Sequence, residues 1–160
     1  MKKRNVEIMG TQATYMNQVV LADDDKDHGI LFKIVLKQVD PSKQLTIVRD
    51  GEALIEYLKN HTPDLVFLDL NMPCKNGIEC LQEIRGQLGM EDLPVVVYSS
   101  SSHMTDIQRS YIHNADLYMV KPFNSYHLRN ALESILTMEW RQDFKHKYYF
   151  INNRFVPFTA

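Results

Sequence analysis

Side chains that could bind and transfer a phosphoryl group follow short apolar runs along this 160-residue chain. They are Asp23-Asp24, Asp69, Ser99 and Lys121. Carboxylates supply the hard oxygen ligands that suit Mg²⁺, an ammonium adds a compact positive charge, and a hydroxyl can donate to an oxygen. Phosphoryl transfer requires mainly positioning and neutralisation of charge. A carboxylate surrounded by these groups could therefore accept a phosphoryl group.

These side chains can act together only if the fold brings them to one place. Apolar runs bounded by turn signals predict five strands, and apolar residues at helical spacing predict a helix after each strand. Such alternation is typical of an α/β fold with a parallel sheet covered on both faces. The predicted strands are 19–22, 45–48, 65–68, 94–98 and 117–120. Parallel strands deliver their carboxyl ends to one edge, so we expect the five polar side chains to converge there.

The predicted helices begin and end at recognisable signals. The first should end near Asp40-Pro41, because the residue before a proline avoids the helical region. The second and third start near Gly51 and Gly77, the fourth covers 104–113, and Asn124 or Ser125 caps the fifth. The apolar residues assigned to the first helix are Ile30, Leu31, Ile34, Val35 and Leu36. Those predicted to face inward from the fifth are Tyr126, Leu128, Leu132, Ile135 and Leu136.

Composition excludes several classes of protein. Hydrophobic residues make up 44% of the chain and its net charge is −2, so a folded core is expected and neither nucleic acid nor a membrane is expected as a partner. There is no apolar signal region and no membrane-length apolar run, so a cytoplasmic location is expected. Cys74 and Cys80 are interpreted as plain thiols, with a redox role as the alternative. The six histidines show no ligand spacing and are interpreted as surface or packing residues.

The two ends of the chain do not fit the alternating pattern. Residues 1–16 show no period and are expected to form a mobile leader. Residues 141–160 carry seven large apolar side chains among charges, among them Phe144, Tyr148 and Phe158. Two interpretations are open: a tail that extends the fifth helix and packs on the body, or a segment that docks a partner or a second copy.

Four pieces of the sequence follow one another in a recognisable order: VVLADDD (19–25), PDLVFLDLNMP (63–73) with NGIE (76–79), PVVVYSS (94–100) and ADLYMVKPF (115–123). Together they resemble the receiver domain of response regulators in two-component signalling, of the single-domain chemotaxis type. The resemblance spans about 17–138. It implies a flavodoxin-like (βα)5 three-layer sandwich with a five-stranded parallel sheet of order 2-1-3-4-5, over 17–140. It leaves 141–160 as an extension without a separate output domain.

The resemblance implies a role for each carboxylate. Asp69 corresponds to the phospho-acceptor. Asp23 and Asp24 correspond to the acidic pair that holds Mg²⁺ or Mn²⁺, with Asp24 the more direct ligand. Asp25 would start the loop or cap the first helix. Asn71 would lend its backbone carbonyl to the metal.

The resemblance also implies a switch. Ser99 occupies the Ser/Thr switch position, and Lys121 corresponds to the conserved-type lysine. Tyr118 would be the aromatic switch that turns inward when Ser99 moves toward the phosphoryl group. The bond before Pro122 would be cis. Ser101 and Asn71 stand at the two positions that influence the lifetime of the acyl phosphate in this family.

The function implied by the resemblance is a phospho-switch rather than an enzyme. A histidine kinase or histidine phosphotransfer protein would phosphorylate Asp69, and an unidentified protein would read the switched face. Homodimerisation through the fourth helix, fifth strand and fifth helix is a further expectation. The alternatives are a phosphorelay intermediate and an aspartyl-phosphate phosphohydrolase. The phosphohydrolase needs an acid two residues after the nucleophile, where this chain has Asn71, which cannot protonate a leaving group.

Overall fold

Strands and helices alternate along the chain in the computed structural model, which describes residues 16–138, 140 and 147–158. Each of the five predicted strands is present within one residue of its predicted bounds, and each is followed by its predicted helix. Two further strands follow the fifth helix. The elements are β1 Gln18–Ala22, α1 Lys26–Val39, β2 Gln44–Val48, α2 Gly51–Asn60, β3 Leu65–Leu68, α3 Gly77–Arg85, β4 Val95–Ser99, α4 Met104–Ile112, β5 Leu117–Val120, α5 Ser125–Leu136, β6 Lys147–Ile151 and β7 Arg154–Phe158.

The strands form one sheet in the order β2-β1-β3-β4-β5-β6-β7. The first five strands are parallel in the order 2-1-3-4-5, which confirms the predicted flavodoxin-like core. β6 adds parallel to β5, and β7 pairs antiparallel with β6. The sheet therefore has seven strands rather than the predicted five.

The hairpin of β6 and β7 corrects the expectation that the tail extends the fifth helix. Asn152 and Asn153 have φ values of 51° and 62°, the left-handed conformation that a tight two-residue hairpin turn requires. Apolar and aromatic residues on both sides of the turn favour strands, and β6 pairs the backbone groups of β5 that would otherwise form an open edge. The hairpin packs on the body, as one interpretation held. Residues 141–146 lie outside the described part of the chain, as does the leader up to residue 15.

Both faces of the sheet are buried under helices. On one face, side chains of α1 and α5 cover Leu65 and Phe67 of β3. On the other face, side chains of α2, α3 and α4 cover Val66 and Leu68. This three-layer arrangement explains why β3 is a continuous apolar run, since each of its residues is buried. Met16, assigned to the leader, is buried in the first of these clusters.

Helix ends follow the sequence signals. Asp25, Asp50, Asn76 and Asn124 accept backbone N–H groups as N-caps of α1, α2, α3 and α5, so Asn124 rather than Ser125 caps α5. α1 ends at Val39, with Asp40 as its C-cap before the proline, as predicted. No helix in the described ranges is long and apolar enough to cross a membrane.

Three predicted inward-facing residues are exposed. Ile30 and Ile34 of α1 expose 56% and 52% of their surface, and Tyr126 exposes 65%. Val35 and Leu36 are buried as predicted, and they share the buried side of α1 with Gly29 and Phe32, because that side of the helix meets the sheet. Ile30 and Ile34 are four residues apart, and so are Phe32 and Leu36, so helical spacing fits both pairs. Only the direction in which α1 packs shows which pair is buried.

The bond before Pro122 is trans, as are all peptide bonds in the described segments, so the implied cis bond is wrong. The trans form is the intrinsically favoured one, by about 0.5–1 kcal/mol.

Cys74 is exposed and Cys80 is buried, and both are free thiols. Burial raises the pKa of Cys80 to about 12, which keeps it a protonated, unreactive thiol.

Candidate functional site

The predicted side chains meet at the carboxyl edge of the sheet. Ala22 of β1 pairs with Leu68 of β3, and the N–H of Asp69 donates to the carbonyl of Ala22 at 2.9 Å. Asp23 and Asp69, the next residues on each strand, therefore leave the sheet side by side. On the other side, the N–H of Lys121 donates to the carbonyl of Ser99 at 2.8 Å. The strand register, rather than any local sequence, produces this convergence.

Asp23, Asp24 and Asp69 form an acidic cluster. One carboxylate oxygen from each lies within 4.8 Å of the others. Asp23 is fully buried and Asp69 is 5% exposed, while Asp24 is exposed to solvent. Backbone N–H groups hold the two buried carboxylates: Asp25 donates to Asp23 at 3.0 Å and Asn71 donates to Asp69 at 3.2 Å. Three carboxylate oxygens this close together, one of them on a residue exposed to solvent, fit a hard divalent cation that also keeps water ligands.

Lys121 joins the two buried carboxylates. Its Nζ lies 2.8 Å from Asp23 Oδ2 and 3.0 Å from Asp69 Oδ2, and the side chain is 8% exposed. The ammonium also lies 5.2 Å from the centre of the Tyr98 ring, within the range of a cation–π contact. One positive charge thus partly balances two negative charges in a buried setting.

The electrostatics of Asp69 reflect this balance. Burial raises the pKa of its carboxyl above the ordinary value, and the negative charge of Asp23 raises it further. Lys121 opposes both effects by charge and by its hydrogen bond. Because the effects that raise the pKa prevail, the ionised carboxylate is destabilised in the folded protein, and an additional cation beside it would stabilise it.

Ser99 and Tyr118 lie behind the cluster, on β4 and β5. Both are fully buried. The Ser99 hydroxyl accepts the N–H of Ser101 at 3.2 Å, and the Tyr118 hydroxyl donates to the carbonyl of Ser101 at 2.8 Å. The Ser101 hydroxyl donates to Asp106 of α4 at 2.5 Å. A single loop residue therefore connects Ser99, Tyr118 and α4, and the Tyr118 ring is already turned inward.

A glycine fixes the loop that carries Asp69. A Cβ on Gly77 would lie 2.3 Å from the carbonyl oxygen of Asp69 and 2.8 Å from Cα of Leu70. The N–H of Gly77 also donates to the carbonyl of Leu70 at 2.9 Å. The start of α3 therefore packs directly on the backbone of the proposed acceptor, which only a residue without a side chain permits.

Sequence reasoning missed one member of the site. His28 was interpreted as a surface or packing residue, but its Nδ1 lies 3.2 Å from Lys121 Nζ and 3.6 Å from Asp23 Oδ2. The available signal was its place three residues after the helix cap Asp25, which puts it in the first turn of α1, beside the acidic cluster. For Asn71, the structure records only the backbone N–H contact with Asp69, so its carbonyl as a metal ligand stays a prediction.

Comparison with known proteins finds regulatory proteins similar to this chain. The chain is 33% identical over 124 residues to response regulator Rcp1 of Synechocystis, covering 73% of this chain and 84% of Rcp1. It is 34% identical to the transcriptional regulatory protein MalR of Bacillus subtilis, covering 73% of this chain. It spans about half the length of MalR, with 49% covered.

Solved structures agree with these relatives. Phosphorylated RcpA, a cyanobacterial phytochrome response regulator, superposes with a TM-score of 0.69 at 32% identity, covering 74% of this chain and 90% of RcpA. The Mn²⁺-bound form of Rcp1 superposes with a TM-score of 0.66 at 32% identity, covering 74% and 91%. The family model described as the response regulator receiver domain matches residues 19–133. The strand-end carboxylates, the lysine that joins them and these matches together show that the chain belongs to the response regulator receiver domain family.

Proposed function

We propose that this protein is a phospho-acceptor switch in which Asp69 receives a phosphoryl group from a histidine kinase or a histidine phosphotransfer protein. The observation that carries the proposal is the contact of one buried ammonium, Lys121, with both Asp69 and Asp23, beside the exposed carboxylate of Asp24. We propose Mg²⁺ as the physiological cation, with Mn²⁺ able to replace it, and the cytoplasm as the location in which a kinase would meet the chain.

The chemistry follows from the side chains. A carboxylate oxygen of Asp69 attacks phosphorus, the bond between phosphorus and the imidazole nitrogen of the donor breaks, and that nitrogen leaves with the electron pair. The cation, held by Asp23, Asp24 and Asp69, would neutralise negative charge on the phosphoryl oxygens. Lys121 donates from its ammonium, and Ser99 donates from its hydroxyl, to the same oxygens.

The switch would act through the contacts of Ser101. The new phosphoryl group adds a charge of about −1.5 to −2. As Ser99 turns toward it, the hydrogen bond from the Ser101 N–H is lost, and the contacts of Ser101 with Tyr118 and Asp106 change with it. A protein partner would read the resulting face of α4, β5 and α5. Because β6 pairs with β5, that face, and any homodimer formed through it, includes the hairpin.

We propose that turnover is limited to self-catalysed phosphorylation and dephosphorylation. An aspartyl-phosphate phosphohydrolase needs a general acid near the nucleophile. Asn71, whose backbone donates to Asp69, offers an amide at that position, and an amide cannot protonate a leaving group. Hydrolysis of external phosphate esters is therefore not expected.

Intact-mass spectrometry tests the proposal. Wild type incubated with acetyl phosphate and Mg²⁺ should gain the mass of one phosphoryl group, and chelation of Mg²⁺ should prevent the gain. Asp69→Asn should gain nothing, while Asp92→Asn, which changes an exposed aspartate outside the cluster, should match wild type. A wild type that stays unmodified, or an Asp69→Asn variant that is modified equally, would refute the proposal.

A further inference from the structure

His28, in the first turn of α1, contacts the ammonium of Lys121. An ammonium has three N–H donors and no acceptor. Lys121 has three acceptors around it: Asp23 Oδ2 at 2.8 Å, Asp69 Oδ2 at 3.0 Å and His28 Nδ1 at 3.2 Å. Because the ammonium can only donate, Nδ1 of His28 is the acceptor in this hydrogen bond. All three donors of Lys121 therefore have partners.

The three acceptors differ in depth. The side chain of Asp23 is fully buried and that of Asp69 is 7% exposed, whereas that of His28 is 44% exposed. The two carboxylates thus hold the ammonium from inside the protein, and the imidazole holds it from the solvent side. An arriving phosphoryl donor must approach from the same solvent side.

The backbone fixes the place of the imidazole. The N–H of His28 donates to the N-cap side chain of Asp25 at 3.1 Å, and the N–H of Asp25 donates to Asp23 at 3.0 Å. The first turn of α1 is therefore tied to the acidic cluster itself. His28 reaches Lys121, 93 residues away in sequence, from the capped first turn of α1.

We propose that His28 is a positioning residue for phosphorylation of Asp69 and acts through Lys121. Its Nδ1 holds the ammonium at the solvent side of the cluster, where a phosphoryl oxygen can take over the hydrogen bond that His28 releases. Without this acceptor, the ammonium moves deeper between the two carboxylates. There it neutralises the attacking carboxylate of Asp69 and lies farther from the incoming phosphoryl group. No covalent bond to His28 forms or breaks. The inference rests on the proposed function of Asp69.

Three substitutions separate this role from a packing role. His28→Leu keeps the bulk and removes the acceptor. His28→Asn places an amide oxygen where Nδ1 stands and so retains an acceptor for Lys121. His61→Leu serves as the control. His61 is the C-cap of α2, away from the acidic cluster, and its ring stacks on Tyr57.

The experiment measures the initial rate of phosphorylation by acetyl phosphate with Mg²⁺, followed by intact mass. His28→Leu should be slower by about three- to tenfold, the size expected for one partly exposed hydrogen bond. His28→Asn should recover most of the rate, and His61→Leu should equal wild type. Equal rates for His28→Leu and wild type, or equal loss in His28→Leu and His28→Asn, would overturn the inference.

A second readout does not depend on phosphorylation. In metal-free protein, the Lys121 NH₃⁺ group should give an NMR signal protected from exchange in wild type and His28→Asn. The signal should broaden in His28→Leu, and an unchanged signal would count against the contact. A wild type that takes no phosphoryl group would instead refute the proposed function, so the two failures are distinguishable.

Discussion

Replacing the proposed acceptor by its neutral isostere, Asp69→Asn, should stabilise the metal-free protein. The carboxylate of Asp69 lies 3.0 Å from the ammonium of Lys121 and within 4.8 Å of the carboxylate of Asp23. At an effective dielectric constant of about 20, these distances give about 5.5 kcal/mol of attraction and at least about 3.5 kcal/mol of repulsion. The net attraction that remains must offset the cost of desolvating a nearly buried carboxylate, which amounts to several kcal/mol, and the repulsion from Asp24.

The negative charge of Asp69 is therefore expected to lower the free energy of unfolding on balance. We expect Asp69→Asn to raise the free energy of unfolding by about 1–2 kcal/mol at pH 7 without divalent metal, and so to raise Tm by about 2–8 °C in a domain of this size. The asparagine keeps the shape and can still accept from Lys121. Lys121 also retains its contact with Asp23 in the variant.

The stability difference between wild type and Asp69→Asn should depend on pH. The pKa of Asp69 is raised in the folded protein, mainly by burial, so the folded state binds its proton more tightly than the unfolded state. Wild type therefore loses stability as the pH rises from the unfolded pKa through the raised folded pKa. The advantage of Asp69→Asn should be complete above the folded pKa and shrink as the pH falls through it.

Urea denaturation followed by circular dichroism, with and without Mg²⁺, measures this difference. Mg²⁺ should stabilise wild type more than the variant, because it supplies the missing positive charge to the acidic cluster. Asp92→Asn, at an exposed position, should show neither effect. The reasoning is refuted if Asp69→Asn is less stable than wild type at pH 7 without metal, or if its advantage grows as the pH falls.

Three further predictions concern the parts that position the site. Lys121→Met should slow labelling of Asp69 by acetyl phosphate at least about tenfold, because it removes a charge-assisted donor to the phosphoryl oxygens, and intact mass would measure it. Gly77→Ala should lower the free energy of unfolding by at least about 1–3 kcal/mol in urea titration, because its Cβ would lie 2.3 Å from the Asp69 carbonyl oxygen. Tyr111→Phe removes a hydroxyl that accepts the N–H of Tyr118 at 3.0 Å and donates to the carbonyl of Tyr148. That change should speed amide exchange in β6 and cost about 1–3 kcal/mol.

Several features of the site follow directly from local sequence. The run before Asp69 is apolar at every position, and such a run followed by a polar residue predicts a buried strand that ends there. The same logic placed Asp23-Asp24 and Lys121 at strand ends, and a parallel sheet brings such ends to one edge. The N-caps Asp25 and Asn124 were also predictable, since capping depends on residues within a few positions of each other.

Other features depend on contacts between distant segments. Ile30 and Ile34 fit a helical stripe as well as Phe32 does, and only the direction in which α1 packs shows which stripe is buried. Tyr126 of α5 is likewise exposed, while Leu128, Leu132 and Ile135 of the same helix are buried. The two added strands required β5 to offer an open edge, which no property of residues 147–158 alone reveals, although the Asn152-Asn153 turn was a readable signal.

The sequence by itself determined the candidate chemical groups of the site: a candidate acceptor carboxylate, an acidic pair, a hydroxyl and a lysine, each at the end of an apolar run. Residue type and local pattern suffice for that, because strand ends and caps are set by near neighbours. Only the tertiary structure decided how the charge of Lys121 is shared. Its partners Asp23, Asp69 and His28 lie 98, 52 and 93 residues away, and the sheet register and the first turn of α1 bring them within hydrogen-bonding distance.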